Sequence, residues 1–420
     1  MGFLMPVLTE KMDTNDIVIT LPPSKSLSNR WLVVNYLRNG IFQLKHLSDS
    51  SDTHLLKQML QQLRRGSSSP FYCGNAGSAA RFMMALLAVT PGTHRLYGDK
   101  RMEERPMGDL VDSLRGMGLS IRYLGTDGHL PVEIVGASPR RKMAFVNPSV
   151  SSQYVSALML VAPAMPDGMT LTMTGRPTSK PYIEMTRNVL ETVGVEVGLS
   201  KNGRVYRIAP FSSRAAVKAV TIENDWSAAS YFYFVAALLG GKRLRLRGLS
   251  LDSCQGDRVV AEMFSQLGVV TTEVRSPYRR SSRSLTIAAK GKVEKKVRFN
   301  FIDCPDLLPT VAVACAALGV DARMKGIKNL RYKESDRVSS VSTELAKMGC
   351  RIEVSDDEIH VLPSTLYPVV PVSTYGDHRL AMAFAPLMVL FPEMVIEDQG
   401  VVEKSFPDFW SQLQNCVSAK

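Results

Sequence analysis

Six times along this chain an apolar stretch of helical length opens on a polar turn, and that recurrence restricts the fold more than any other feature. The copies begin at Ser26 (KSLSNRWLVV), Asn75 (NAGSAARFMMALLAV), Ser151 (SVSSQYVSALMLVAP), Asp225 (DWSAASYFYFVAALL), Asp306 (DLLPTVAVACAAL) and Asp377 (GDHRLAMAFAPLMVL). A helix apolar on nearly every face must be buried. Spacing this regular marks a repeat architecture. The first copy shows the chemistry at its sharpest, with Ser24, Lys25, Ser26, Ser28, Asn29 and Arg30 crowded ahead of Trp31, Leu32, Val33 and Val34. Free N–H groups, hydroxyls and cations at a helix start form a seat for an anion.

A second helix type alternates with the first. It is amphipathic and ends at a glycine that opens a strand: LVDSLRGMGLSIRY, VLETVGVEVGL, MFSQLGVVTTEV and ELAKMGCRIEV, with Gly118, Gly194, Gly268 and Gly349. Glycine suits the left-handed residue that stops a helix. Alternation after it, as in Arg351-Ile352-Glu353-Val354, predicts half-buried strands. The expectation is therefore six units, three to each of two similar α/β domains. In the first unit MLQQLRRG runs almost directly into SSSPFYCGNAG, leaving little room for strands between Arg65 and Tyr72. The amphipathic helices also start on charge or hydroxyls, at Glu103–Arg105, Ser179–Lys180, Lys333–Arg337 and Lys404–Ser405.

A chain of 420 residues with 45% hydrophobic content can bury a large core in two or more domains. No apolar run approaches the roughly 18 residues of a membrane span. The N-terminal MGFLMP lacks the features of a secretion signal. The six cysteines (Cys73, Cys254, Cys304, Cys315, Cys350, Cys416) are scattered without a CxxC pair, which argues against zinc and disulfides and for a reducing, cytoplasmic setting. Net charge is +12, which calls for an anionic partner. The basic runs Arg140 to Lys142, Arg279 to Arg283 and Lys292 to Arg298 lack interleaved aromatics and read as solvated surface, so neither nucleic acid nor membrane is expected.

The ordered blocks PSKSLSNR, GNAGSAARF, RMEERPMG, SVSSQY, SKPYIE, CPDLLPT, NLRYKESDR, GDHRLAMAF and EKSFPDFW run from about Leu21 to Asp408. In these blocks the sequence resembles the 5-enolpyruvylshikimate-3-phosphate synthase family, the enolpyruvyl transferases of the shikimate pathway. The resemblance implies an α/β (α+β) fold of two domains, each of three βαβαββ units in an inverse α/β barrel, with substrates in the interdomain cleft. The domains would be residues 21–221, with a shortened first repeat, and residues 1–20 plus 222–420. It also implies a monomer that acts on shikimate 3-phosphate and phosphoenolpyruvate and needs no metal or redox cofactor.

Residue roles carry over block by block. Phosphoenolpyruvate would be held by Lys25, Asn75, Gly77, Arg105, Gln153, Arg337, Arg379 and Lys404. Shikimate 3-phosphate would be held by Lys25, Ser26, Arg30, Ser151, Ser152, Gln153, Ser179, Tyr182, Asp306, Asn329 and Lys333. Asp306 would take the proton of the 5-hydroxyl, and Glu334 would give a proton to C3 and take one back. Lys25 and Lys404 would serve the leaving phosphate. Apart from the resemblance, KESDR reads as an exposed helix start and Asp306 as a helix cap. His378 reads as structural or part of a cleft wall. Three features depart from the family pattern: NAGSA where NAGTA is usual, Phe82 after Arg81 where proline is common, and, the largest, the shortened segment between Arg65 and Tyr72.

Two other readings compete. The sister UDP-N-acetylglucosamine enolpyruvyl transferases normally carry a cysteine where this chain has GDKRMEERP, and no cysteine lies between Cys73 and Cys254. A basic, non-catalytic binder of phosphorylated ligands or RNA would explain the charge. It would give Asp306 and Glu334 no reason to sit among cations.

Overall fold

The computed structural model describes residues 7–8, 16–212, 217–275, 283–368 and 371–418. The chain divides into two compact units, Ser24–Ile222 and the pair of segments Met1–Pro23 and Glu223–Lys420. It therefore crosses from one unit to the other at Pro23/Ser24 and again at Ile222/Glu223.

In the Ser24–Ile222 unit the apolar stretches form the helices Lys25–Leu37, Gly77–Ala88 and Ser152–Val161, which pack on one another. In the other unit they form Trp226–Leu238, Leu308–Ala317 and His378–Phe384. Leu308–Ala317 packs on both of its partners, and the turn continuing from His378–Phe384 packs on Trp226–Leu238. Most side chains of these helices are buried on every face, including Tyr231, Phe232, Tyr233 and Phe234 in a row. Burying each large apolar side chain is worth about 1.5–3 kcal/mol. A helix with no polar face gains that only inside a shell of other elements.

Sheets supply the shell, and four of them share one plan. A first strand pairs parallel with the second, and the fourth, antiparallel to both neighbours, lies between the second and the third. The Ser24–Ile222 unit has two such sheets. Their strands are Phe71–Tyr72, Gly92–Tyr97, Ser120–Tyr123 and Val132–Gly136, then Met143–Val146, Met169–Met173, Val197–Leu199 and Val205–Ile208. The other unit repeats the plan with Lys296–Asn300, Asp321–Lys325, Ile352–Val354 and Glu358–Val361. It does so again with Ile17–Ile19, Leu244–Arg247, Leu267–Arg275 and Arg283–Val293, to which Val7–Leu8 adds an edge. The third sheet of each unit is reduced. Among the described residues, Gln43–Lys45 pairs only with Ala219–Thr221, and beside His378–Phe384 a single bridge joins Val372 to Ile396.

The physical reason for the two-stranded sheet is chain length. Helix Ser51–Arg64 is followed after six residues by Phe71–Tyr72, which already belongs to the next sheet. All these sheets are open, and they enclose the helices without closing into a β-barrel. A closed barrel needs tilted strands in staggered register right around the axis, and sheets of two to five short strands keep their edges.

The predicted helix stops hold. Gly118, Gly194, Gly268 and Gly349 all have φ between +82° and +88°. In three of them the next residue's N–H reaches back to close the final turn, Leu119 to Leu114, Val195 to Leu190 and Cys350 to Leu345. The Arg140 to Lys142 and Lys292 to Arg298 runs are mostly exposed. Arg279 to Ser282, the greater part of the third run, lie outside the described residues.

Candidate active site

In the Ser24–Ile222 unit, hydrogen bonds tie the first turns of the three buried helices into a ring. Asn29 Nδ2 donates to Ser78 Oγ at 3.0 Å, joining the first helix to the second. Arg81 Nη2 and the Tyr154 hydroxyl both donate to the Pro106 carbonyl, at 3.0 and 2.6 Å, joining the second to the third. Arg30 closes the ring with Nη2 on Ser156 Oγ at 3.3 Å. The polar N-terminal turns, each with N–H groups lacking intrahelical partners, are thereby gathered together.

The expected ligands sit on this ring. Lys25 begins its helix behind the Ser24 cap and pairs with Asp52 at 2.9 Å. Ser26 is half-buried beside it, and its carbonyl accepts from Arg30 Nη1 at 2.8 Å. Arg30 is almost fully buried and also donates to Thr186 Oγ1 at 2.7 Å and the Tyr182 carbonyl at 2.9 Å. Much of its hydrogen-bonding capacity holds the scaffold. Arg105 follows the short helix Lys100–Glu103, is buried, and donates to Asn75 Oδ1 at 3.1 Å. Gly77 is where these groups crowd: a β-carbon there would lie 2.6 Å from Arg105 Nη2 and 2.9 Å from Arg81 Nη1. Ser151 caps its helix by accepting from the Gln153 N–H at 3.3 Å, and Ser152 is buried. Gln153 Oε1 is buried with no hydrogen-bond partner among the described residues. Ser179 is buried in left-handed backbone (φ +54°), and its carbonyl accepts from the Tyr182 N–H at 3.0 Å.

The other unit builds a second ring from ions. Asp306 Oδ1 accepts from Arg337 Nη1 at 2.8 Å and Oδ2 from Arg379 Nη2 at 2.7 Å, with Lys333 Nζ 3.9 Å away. Arg379 Nη1 reaches the Tyr231 hydroxyl at 3.4 Å, and Ser230 and Thr310 lie 3.3 Å apart, so all three helices are joined. Arg337 is 1% exposed and also binds Glu334 at 2.7 Å and Asp377 at 2.8 Å. Asp377 caps its helix through the Arg379 N–H at 2.9 Å and accepts from Ser335 Oγ at 3.1 Å. Asn329 is buried, with Oδ1 lacking a hydrogen-bond partner among the described residues. Lys404 is half-buried next to Phe406 and Phe409, whose rings pack on Phe232 and Tyr231.

Charge in this ring is finely divided. Burial pushes the Asp306 carboxyl up, but Arg379, Lys333 and Arg337 outweigh it and hold the group well below the usual carboxylate range. Asp257, bonded by the Ser227 hydroxyl, is pushed up to about 7 by burial and then by Asp306, with Arg379 opposing. Burial pulls the Arg81 guanidinium in the other unit down to about 10.

Several local readings need correction. KESDR is not an exposed helix start: Ser335 and Arg337 are buried, and the helix Arg337–Lys347 is capped by Asp336 through the Ser339 N–H. Arg337 leaves the surface because three carboxylates compensate its charge. Asp306 makes no side-chain cap, its oxygens being taken by arginines. Lys404 ends the turn Gln399–Lys404, whereas the last helix begins at Phe409. His378 is fully buried, 3.5 Å from Asp377.

Residue-type reasoning missed Asp52, Asp377, Asp257, Arg81 and Tyr231. For Asp377 a signal was available: an aspartate capping an apolar helix directly before His378-Arg379 has cations to hold.

Two repeated units with gathered, cation-bearing helix starts define a protein of the enolpyruvyl transferase fold. An EPSP synthase structure from Acinetobacter baumannii superposes with a TM-score of 0.73 at 20% identity, covering 95% of each chain. The enolpyruvyl transferase NikO from Streptomyces tendae gives 0.68 at 15% identity, covering 96% of this chain and 95% of NikO. The chain belongs to the EPSP synthase (3-phosphoshikimate 1-carboxyvinyltransferase) family, whose sequence model matches residues 10–413. A 3-phosphoshikimate 1-carboxyvinyltransferase of Bacteroides fragilis is 36% identical over 407 residues, with 94% of both chains covered. One from Shewanella amazonensis is 33% identical over 420 residues, covering 95% of this chain and 96% of the relative. The family match decides against the nucleotide-sugar branch and the non-catalytic binder.

Proposed function

We propose that this chain transfers the enolpyruvyl group of phosphoenolpyruvate to the 5-hydroxyl of shikimate 3-phosphate and releases phosphate. The observation that carries the mechanism is the clamping of Asp306 by Arg337 and Arg379. These are the arginines that the reading gives to phosphoenolpyruvate. Its phosphate and carboxylate are strong partners for planar guanidinium groups. As the arginines turn to the substrate, Asp306 loses the charges that depress it and regains basicity.

Asp306 then takes the proton of the 5-hydroxyl as that oxygen bonds to C2. Glu334 passes a proton to C3, giving the tetrahedral ketal. In the second half Glu334 takes a C3 proton, the bond from C2 to the phosphate oxygen breaks, and Lys25 or Lys404 protonates the leaving phosphate. Lys25, Asn75, Gly77, Arg105, Gln153, Arg337, Arg379 and Lys404 serve phosphoenolpyruvate. Lys25, Ser26, Arg30, Ser151, Ser152, Gln153, Ser179, Tyr182, Asp306, Asn329 and Lys333 serve shikimate 3-phosphate. The buried Gln153 Oε1 and Asn329 Oδ1, unpartnered among the described residues, support this reading, because such atoms call for a donor. Fixed cations neutralise the developing charge.

The working form is read as a cytoplasmic monomer. The monomer follows the family resemblance alone, and the reducing compartment accords with six free cysteines, five of them buried. The test is turnover in deuterium oxide. Addition and elimination exchange the C3 hydrogens of phosphoenolpyruvate, so deuterium appears in its methylene; product without exchange would rule out Glu334-mediated return of the ketal.

A further inference from the structure

Arg379 is aimed by a turn that pays a conformational penalty. The turn Thr374–Asp377 is closed by the Asp377 N–H on the Thr374 carbonyl at 2.9 Å. Its two central residues both have positive φ, +53° at Tyr375 and +66° at Gly376. Glycine adopts that conformation freely, but for an aromatic residue it is an outlier that the surroundings must impose. Here the Tyr375 hydroxyl donates to Glu344 Oε1 at 2.7 Å. Glu344 is itself buried, and it also accepts from the Ser373 N–H at 3.3 Å and from Lys347 at 2.7 and 2.9 Å.

Glu344 stands on the helix Arg337–Lys347, whose first residue binds Asp377. One rigid element therefore grips the turn at both ends, and Asp377 passes that placement on through the Arg379 N–H. We propose that Tyr375 and Glu344 are positioning residues that hold the Thr374–Asp377 turn in its left-handed form and so set Arg379 for phosphoenolpyruvate. The inference rests on the reading of Arg379 as a phosphoenolpyruvate ligand.

Tyr375→Phe removes only the hydroxyl tether. The expected result is a KM for phosphoenolpyruvate raised about tenfold, with kcat and the binding of shikimate 3-phosphate within twofold of the parent, since uniform binding is lost. Tyr375→Asn restores the parent KM to within about threefold, because asparagine enters left-handed backbone without a tether. A Tyr375→Phe enzyme with unchanged KM overturns the proposal, as does a Tyr375→Asn enzyme impaired as much as Tyr375→Phe. A second measurement needs no turnover: the Arg379 Nε–H resonance, assigned by its loss in Arg379→Lys, exchanges with solvent several-fold faster in Tyr375→Phe. Unaltered exchange overturns the positioning role whatever the substrates prove to be. Inactivity of the parent with shikimate 3-phosphate would count against the functional reading alone.

Discussion

Asp306 is the residue on which most of the proposed chemistry converges. Its carboxylate faces three cations, so removing its charge affects rate and stability differently. Asp306→Asn keeps an acceptor for Arg337 and Arg379 but no base. Turnover is expected to fall by about 10²–10⁴-fold, the usual worth of a positioned general base, with shikimate 3-phosphate still bound. Phosphate release and equilibrium binding on one preparation check this; turnover within threefold of the parent would remove Asp306 from the mechanism. The same substitution tests the charge directly. Against the upward push of burial, Arg379, Lys333 and Arg337 depress the folded-state pKa below its unfolded value, so the ionised group stabilises the native state above roughly pH 4. That contribution is lost as pH falls through the folded pKa. The parent's Tm is therefore expected to drop more steeply than that of Asp306→Asn on acidification below about pH 4.

Among the elements, the repeated pair of buried helix and glycine-stopped amphipathic helix was legible because both signals are local. Apolar residues on all faces name the first, and a glycine at the end names the second. Gly349 joins that local signal to packing: at φ +82° an added β-carbon would also lie 2.8 Å from the Tyr367 ring. Gly349→Ala is expected to cost about 1–2 kcal/mol for left-handed backbone alone, read as a lower midpoint in urea unfolding. An unchanged midpoint would show that the helix end shifts without penalty. What stayed hidden involved partners far apart in sequence. Ser335 and Arg337 look exposed in KESDR because nothing nearby announces Asp306 and Asp377, whose carboxylates draw Arg337 inward. Nothing around Lys25 in the sequence likewise announces Asp52, on the next helix, which pairs with it at 2.9 Å. Periodicity reports which face is buried, and it says nothing about which charge will compensate another.

At the scale of the whole molecule, each unit encloses three apolar helices and joins their first turns by hydrogen bonds, with guanidinium, amide and hydroxyl donors on neutral acceptors in one unit and an arginine–carboxylate ion pair among the links in the other. The repeat count follows from the sequence pattern; the open sheets and the Val372–Ile396 bridge do not, since strand number depends on linker lengths and edge pairing. The net charge of +12 is consistent with substrates that bring two phosphates and two carboxylates. The central claim is the identity of the acceptor. The decisive measurement is phosphate release from phosphoenolpyruvate with shikimate 3-phosphate and, in parallel, with UDP-N-acetylglucosamine. Release that depends on shikimate 3-phosphate alone is expected. Release only with the nucleotide sugar, or with neither acceptor, would contradict the claim.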